Sequence, residues 1–146
     1  MGGAEGARGA EYRERVLGEK RRLLAGLATP RQEQERALSE VLHENAGSQF
    51  GQAHRLSKVR DIGGFRRAVP IRTHEDLMPW ITRAIAGEPN VLTAEEPVLY
   101  FSSSGTTGRE KAIPVTTTYM RRCFLPFYFA SFARLVEHYP QAFGAD

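Results

Sequence analysis

Residues 101–111 read Phe-Ser-Ser-Ser-Gly-Thr-Thr-Gly-Arg-Glu-Lys, and they stand between two short apolar runs. The run before them ends Val98-Leu99-Tyr100-Phe101, and the run after them is Ala112 to Val115. A short, continuous apolar run is typical of a strand that is buried on both faces. The sequence therefore predicts two strands joined by a loop of unusual composition, because seven of the nine residues between Phe101 and Lys111 are Ser, Thr or Gly.

This loop has the composition that a polyphosphate site needs. Glycines let backbone N–H groups approach the phosphate oxygens, hydroxyls add donors without bulk, and successive amides form an anion-binding nest. A lysine at the exit of the loop can neutralise the outer phosphates. The segment from Ser102 to Lys111 meets each of these requirements.

A solvated Ser/Gly turn between two strands is the competing interpretation of the same loop. A hairpin needs only a few turn residues, and this loop exceeds that need, but composition alone leaves both interpretations open. The loop is not a P-loop, because Arg109 and Glu110 separate Gly108 from Lys111 and Ala112 follows the lysine. The chain also has no Gly-x-Gly-x-x-Gly fingerprint for a dinucleotide.

The rest of the chain is predicted to be mainly helical. Residues 1–10 are expected to form a disordered tail, and apolar positions from Val16 to Leu27 predict an amphipathic helix over residues 11–27. A second helix begins at Pro30. Residues 47–72 are predicted to be rich in loops, and a third helix follows Thr73, with Asp76 completing its cap. Residues 119–132 predict an aromatic helix with a kink or break at Pro126, so the fold class is α/β.

Composition and charge exclude several classes of protein. The chain has 146 residues with 41% hydrophobic and 25% charged residues, which is the composition of a globular domain. The single cysteine, Cys123, excludes an internal disulfide framework. We find no apolar run long enough to span a membrane and no secretory signal, so we expect no membrane partner and a cytoplasmic location. The four histidines are widely spaced, and we therefore expect no metal site formed by them.

The net charge of +3 raises the question of nucleic-acid binding. The basic excess is local: residues 54–72 contain six basic side chains against one acidic side chain, Asp61. Nucleic-acid-binding proteins usually concentrate more charge on one face, so we expect no nucleic-acid partner and interpret this stretch as a solvated face. Its basic residues are Arg55, Lys58, Arg60, Arg66, Arg67 and Arg72.

Several separate motifs, in order along the chain, resemble one known family. Residues 103–111 are similar to the ATP-phosphate loop of the adenylate-forming superfamily, which includes acyl-CoA synthetases and luciferases. The flanking segments 68–77, 87–93 and 111–116 resemble motifs of the Gretchen Hagen family, the auxin-responsive acyl acid amido synthetases. An earlier pattern of that family is matched by Leu42, Asn45, Phe50, Gly51 and His54. The loop is one residue shorter than in most plant members and is more similar to that of bacterial members.

The resemblance implies an ATP-dependent activation of a carboxylic acid to an acyl-adenylate and its transfer to an amine or amino acid. ATP, with Mg²⁺, and the two small-molecule substrates are the implied ligands. Ser103, Ser104, Thr106 and Thr107 would supply hydroxyl and amide donors, while Gly105 and Gly108 would allow backbone approach. Lys111 would be the catalytic residue, holding the outer phosphates as pyrophosphate leaves.

The resemblance also implies how much of such an enzyme this sequence holds. Residues 11–146 would be the N-terminal portion of the large adenylate-forming domain, with helices followed by strand, phosphate loop, strand and helix. The adenine site, the acyl pocket and the small C-terminal domain would lie beyond Asp146. We therefore expect the chain by itself to be incomplete as an enzyme. The alternative interpretation is a non-catalytic truncated remnant or an interaction module.

Overall fold

The computed structural model describes residues 2–103 and 111–143. The chain divides into two compact units. One unit combines residues 1–30 with residues 119–146, and the other contains residues 31–118. No helix within the described ranges combines the length and the apolarity that crossing a bilayer requires.

The first unit is formed by helices from both ends of the chain. It contains helix α1 (Gly2–Ala28) and, after a short helix described below, a π-helical turn (Met120–Phe124), α7 (Leu125–Ser131), α8 (Ala133–His138) and a 3₁₀ turn (Pro140–Phe143). Its core is built on Val16, Ala133 and Val136, all at most 2% exposed. Tyr12 stacks on Phe143 with ring centroids 5.4 Å apart.

Helix α1 begins earlier than the sequence predicts. Residues 2–10, expected to belong to a tail, are helical and continuous with the segment that carries Val16. Once a helix has nucleated, each residue that joins it adds one hydrogen bond, which offsets the cost of fixing the backbone of that residue. Ala4, Ala7 and Ala10 also favour such an extension.

The aromatic helix is interrupted beside Pro126, as the sequence predicts. Leu125 N–H donates to the carbonyl of Met120, five residues earlier, which is the hydrogen bond of a π-helix. Pro126 follows directly, in the first turn of α7. The π turn thus separates the helical residues before it from α7, which begins at Leu125.

In its described residues, the second unit contains five helical elements and a hairpin. Helix α2 (Pro30–Asn45) leads into it, followed by α3 (Gln49–Ala53), a 3₁₀ turn (Leu56–Lys58), α4 (Ile62–Ala68), α5 (His74–Ile85), β1 (Leu99–Ser102) and β2 (Ala112–Val115). A short helix, α6 (Thr117–Tyr119), links β2 to the first unit. Its core cluster consists of Leu42, Leu56 and Val59, with Leu38, Phe65 and Val69 packed against it.

Residues 47–72 are more helical than predicted, because side-chain caps begin two short helices there. The Ser48 hydroxyl accepts a hydrogen bond from Gly51 N–H, and the Asp61 carboxylate accepts one from Gly64 N–H. Helices of five and seven residues are too short to show a clear apolar period, which explains why they were not predicted. The predicted cap of α5 is confirmed, since Thr73 and Asp76 form a reciprocal capping box.

The two predicted strands are present, but the prediction that they are buried on both faces is wrong. They pair antiparallel, with Leu99 opposite Val115 and Ser102 opposite Ala112. Leu99 is 41% exposed and Ile113 is 51% exposed, whereas Val115 is fully buried. An antiparallel pair can leave part of a face in water, unlike a parallel sheet covered by helices on both sides. The result is a helix-rich chain with a small sheet, which is compatible with part of an α/β fold.

Candidate functional site

The candidate site is the loop that joins β1 to β2, and the structure describes its two ends. Ser103 N–H donates to the Lys111 carbonyl at 3.2 Å, and Lys111 N–H donates to the Ser103 hydroxyl at 3.3 Å. These two hydrogen bonds continue the register of the hairpin by one further pair. Both ends of the loop are therefore held together at the mouth of the hairpin. The candidate residues Ser104, Gly105, Thr106, Thr107 and Gly108 lie outside the described residues.

Lys111 presents its side chain to solvent at the exit of the loop. Its ammonium is one of several groups that affect the Glu75 carboxylate in the first turn of α5. The pKa of Glu75 lies below its usual value mainly because the backbone N–H of Glu75 donates a hydrogen bond to its carboxylate. The positive charge of Lys111 acts in the same direction. The structure thus brings α5 within electrostatic range of the loop exit. Sequence reasoning missed Glu75, whose only signal was its place after the Thr73 cap.

The end of β2 is fixed to its own unit by a second carboxylate. Glu95 accepts hydrogen bonds from Thr118 N–H at 3.1 and 3.3 Å, at the start of helix α6. Hydrogen bonding from Thr118, first from its side chain and then from its N–H, lowers the pKa of the Glu95 carboxyl. A carboxylate is stabilised where unpaired helical N–H groups converge. The strand that leaves the loop is therefore anchored immediately after Val115.

The early family-like pattern forms a close backbone junction rather than a chemical site. Asn45 ends α2, where its side-chain Nδ2 donates to the Val41 carbonyl and its Oδ1 accepts from Ala94 N–H at 3.1 Å. A Cβ atom at Gly51 would lie 2.0 Å from the Asn45 carbonyl oxygen. Only glycine allows the two backbone segments to approach so closely. Asn45 and Gly51 thus hold the start of α3 and residue 94 against the end of α2.

Phe50 and His54 extend this junction. Phe50 N–H donates to the Val91 carbonyl at 2.9 Å, and its ring meets that of Trp80 edge-on with centroids 5.5 Å apart. His54 Nδ1 lies 2.8 Å from the Ala68 carbonyl oxygen. This contact gives His54 a structural role. The segment around Val91, which precedes the hairpin, is therefore fixed to α3.

A cluster of polar side chains connects the end of α5 to Gln49, the first residue of α3. Arg83 donates to both carboxylate oxygens of Glu88 and to the Gln49 side-chain oxygen, and Gln49 Nε2 donates to Glu88 at 2.9 Å. Hydrogen bonds from Arg83 and then Gln49 lower the pKa of Glu88 to about 2. Gly87, in the turn between them, has a φ of +85°, which favours glycine. This cluster supports the scaffold, and it is not a candidate for chemistry.

The described ends of the loop carry groups of the types that bind phosphate. Lys111 supplies an exposed ammonium, and Ser103 supplies a hydroxyl at the loop entrance. Among residues 2–103 and 111–143, no three His, Cys, Asp or Glu side chains cluster as metal ligands would.

Comparison with known proteins identifies relatives of this chain. Residues 19–144 match the family model described as the GH3 family N-terminal domain. The chain is 37% identical over 83 residues to the jasmonoyl–L-amino acid synthetase JAR4 of Nicotiana attenuata, an alignment that covers 56% of the chain and 14% of the relative. It is 36% identical over 84 residues to the indole-3-acetic acid-amido synthetase GH3.8 of Oryza sativa subsp. indica, covering 57% of the chain and 14% of the relative.

A further relative extends the alignment. The jasmonoyl–L-amino acid synthetase JAR6 of Nicotiana attenuata is 33% identical over 109 residues, which are 73% of the chain and 19% of the relative. The alignments to these three relatives thus span between 14% and 19% of the relatives' length. The similarity concerns one segment of much longer proteins.

Proposed function

Because its residues 19–144 match the GH3 N-terminal domain, the chain belongs to the Gretchen Hagen (GH3) family, and we propose that it forms the N-terminal portion of an ATP-dependent acid–amino acid ligase. The resemblance seen in the sequence is thereby confirmed at the level of the family. The relatives' names describe an indole-3-acetic acid-amido synthetase and a jasmonoyl–L-amino acid synthetase. We extend to this chain only the common reaction class, a carboxylic acid joined to an amino acid.

In the proposed reaction, an oxygen of the acid's carboxylate attacks the α-phosphorus of ATP. The bond to the β-phosphate breaks, pyrophosphate leaves with the electron pair, and an acyl-adenylate forms. The amine of the acceptor then attacks the acyl carbon, AMP leaves, and the amine loses a proton as the amide forms. Each step places charge on phosphate oxygens, so positioned cations and N–H donors lower its barrier.

The role of this chain is to present the phosphate loop. We assign the outer phosphates to Lys111 and the donor roles to Ser103, Ser104, Thr106 and Thr107, with Gly105 and Gly108 allowing close approach. Mg²⁺ would accompany ATP and neutralise part of its charge. The observation that carries the proposal is the closure of the loop by the mutual hydrogen bonds of Ser103 and Lys111. That closure places the lysine at the loop exit and leaves its side chain in solvent.

Ligand titration of the purified chain tests the proposal. We expect saturable, Mg²⁺-dependent calorimetric binding of ATP that pyrophosphate displaces. Adenosine should not compete, because the contacts proposed here are to phosphate only. An absence of saturable binding, or competition by adenosine but not by pyrophosphate, would refute the proposed role of the loop.

The second candidate function is a non-catalytic remnant or an interaction module. The observation that favours an interaction module is the set of exposed apolar side chains, such as Phe127, which is 71% exposed. A module of this kind needs no intact phosphate loop, so it would bind ATP no better than any basic protein does. Displacement of ATP by pyrophosphate in physiological salt separates the two functions, because nonspecific charge binding weakens steeply with salt.

A further inference from the structure

Six basic side chains in residues 55–72 are exposed to solvent, and we call this stretch the basic surface. Within residues 2–103 and 111–143, none of the six forms an ion pair. Asp61, the acidic residue of the stretch, caps α4 by accepting from Gly64 N–H at 2.6 Å. Arg60 donates to the neutral carbonyl of Ser57 at 2.8 Å, which leaves its charge uncompensated. The six side chains are Arg55, Lys58, Arg60, Arg66, Arg67 and Arg72.

The basic side chains of helix α2, in the same unit, are neutralised within the chain. Arg31 pairs with Glu35 at 3.0 Å. Arg36 pairs with Glu33 at 2.6 Å and with Glu40 at 2.8 Å. A cation beside a carboxylate projects little field into solvent, whereas an unpaired cation attracts anions within about one Debye length, roughly 8 Å in physiological salt. The basic surface therefore projects positive charge that nothing within the described residues cancels.

The fold arranges these cations around two short helical elements that pack together. Leu56 and Val59, from the 3₁₀ turn and the residue after it, are buried in the core cluster of this unit, and Phe65 of α4 packs against the same cluster. His54 Nδ1 lies 2.8 Å from the Ala68 carbonyl oxygen, which joins the start of the turn to the end of α4. Since α4 has seven residues and is about 10 Å long, one extended anionic surface can contact cations from both elements.

Apolar side chains protrude among the cations. Ile71, which stands directly before Arg72, is exposed over its entire surface, with a relative exposure of 104%, and Ile62 at the start of α4 is 47% exposed. Exposed aliphatic side chains beside unpaired cations are the combination that binds the interface of an anionic bilayer. The apolar side chain leaves water there, while the charged ends of neighbouring long side chains stay among the headgroups.

The same composition argues against nucleic acid as the partner. Proteins that bind single strands combine a basic groove with exposed aromatic rings on which the bases stack. Phe65 is the one aromatic residue in the sequence from 55 to 72, and its ring packs against the core cluster. The apolar groups that this stretch exposes are therefore aliphatic, and they suit acyl chains better than bases.

We propose that the basic surface binds the anionic leaflet of a lipid bilayer, with Ile71 inserted at the interface and the cations beside the lipid headgroups. The expectation of no membrane partner rested on the lack of a spanning segment, which binding to the bilayer surface does not need. Each Lys or Arg near an anionic leaflet raises the partition coefficient by roughly fivefold. The site does not depend on the proposed ligase function, because its residues lie outside the loop and the hairpin.

Co-sedimentation of the purified chain with lipid vesicles tests the proposal. The vesicles contain phosphatidylcholine with roughly 30% phosphatidylserine, which gives them the negative surface potential of an anionic leaflet. We expect saturable binding that weakens as the salt concentration rises. Vesicles of phosphatidylcholine alone should bind the chain at least about tenfold more weakly. Equal binding to the two kinds of vesicle would overturn the proposal.

A matched pair of double variants separates the basic surface from the net charge of the chain. Arg66→Gln/Arg67→Gln removes two unpaired cations and should lower the partition coefficient by about tenfold or more. Arg31→Gln/Arg36→Gln changes the net charge equally, but at ion-paired positions of α2, and should change the partition coefficient by less than about threefold. Equal losses in the two variants, with the circular dichroism of the helices retained, would contradict a role for this surface.

A second pair of variants tests the insertion of the aliphatic side chain. Ile71→Ser should weaken binding by about fivefold, because the inserted apolar area is lost. Phe127→Ser removes an exposed apolar side chain from the other unit and should change the partition coefficient by less than about twofold. Equal effects of the two substitutions would indicate nonspecific adsorption and would overturn the proposal. Tighter binding of a thymidine oligonucleotide than of vesicles, at equal phosphate concentration, would assign the surface to nucleic acid and would also overturn it.

Discussion

Ser103 and Lys111 bond to each other through two hydrogen bonds that close the loop between β1 and β2. The carbonyl of Lys111 accepts from Ser103 N–H, and the hydroxyl of Ser103 accepts from Lys111 N–H. The ends of a long Ser/Thr/Gly-rich loop are thus held at a fixed separation, which lowers the entropy that the loop loses when it binds a ligand. This closure supports the anion-binding role proposed for the loop.

The junction between α2 and α3 gives a sharp stability prediction. Gly51→Ala should lower the free energy of unfolding by about 1–3 kcal/mol, because the new Cβ would meet the Asn45 carbonyl at 2.0 Å and force the backbones apart. Gly47→Ala is the matched control, since a Cβ there meets nothing within 4 Å. Urea unfolding followed by the fluorescence of Trp80 measures both. Equal stability of the two variants would show that the close approach is absent.

The Glu88 cluster predicts a dependence of stability on pH. Because Arg83 and Gln49 lower the pKa of Glu88 from 4.5 to about 2 in the folded chain, the contribution of Glu88 to stability is present above pH 4.5. It should be lost as the pH falls from 4.5 towards 2. The difference in unfolding free energy between the wild type and Glu88→Gln should therefore shrink over that range. A difference that stays constant or grows on acidification would contradict the cluster.

The exposed apolar surface predicts weak packing of the isolated chain. Two four-residue strands form a marginal sheet, and Leu99, Ile113 and Phe127 are 41%, 51% and 71% exposed. We expect a broad thermal transition and concentration-dependent association, measured by calorimetry and by light scattering after gel filtration. A monomer with a sharp, cooperative transition would argue against this prediction.

The proposed role of the loop predicts that the chain has no turnover by itself. The contacts assigned to the loop are with phosphate oxygens only, and formation of an acyl-adenylate also needs contacts that hold the adenosine and the acid in position. ATP–pyrophosphate exchange with a pool of carboxylic acids should therefore be silent for the purified chain. Exchange above that of a mock purification from cells without the chain would contradict this prediction.

The sequence predicted those features whose signals are local. The Thr73–Asp76 capping box, the interruption beside Pro126 and the two strands around the loop are each marked by a few adjacent residues. Helices α3 and α4 were missed because a single cap, Ser48 or Asp61, starts each of them without an apolar period.

Features that depend on residues distant in sequence required the structure. Nothing near Lys111 in the sequence indicates that Glu75 lies within its electrostatic range, and nothing near Asn45 indicates its bond to Ala94. The exposure of Leu99 and Ile113 depends on what packs against the hairpin, which a strand's own apolar pattern does not reveal.

The affinity for ATP of three charge-removing variants tests the central claim most directly. Lys111→Met, Lys58→Met and Arg66→Met each remove one exposed positive charge from the same unit. If Lys111 holds the outer phosphates, its loss should weaken ATP binding by about ten- to a hundredfold, or about 1.5–3 kcal/mol, with the unfolding midpoint unchanged. Lys58→Met and Arg66→Met should each change the affinity by less than about twofold. Equal losses in all three variants would mean a general field effect and would contradict a specific role for Lys111 in the phosphate loop.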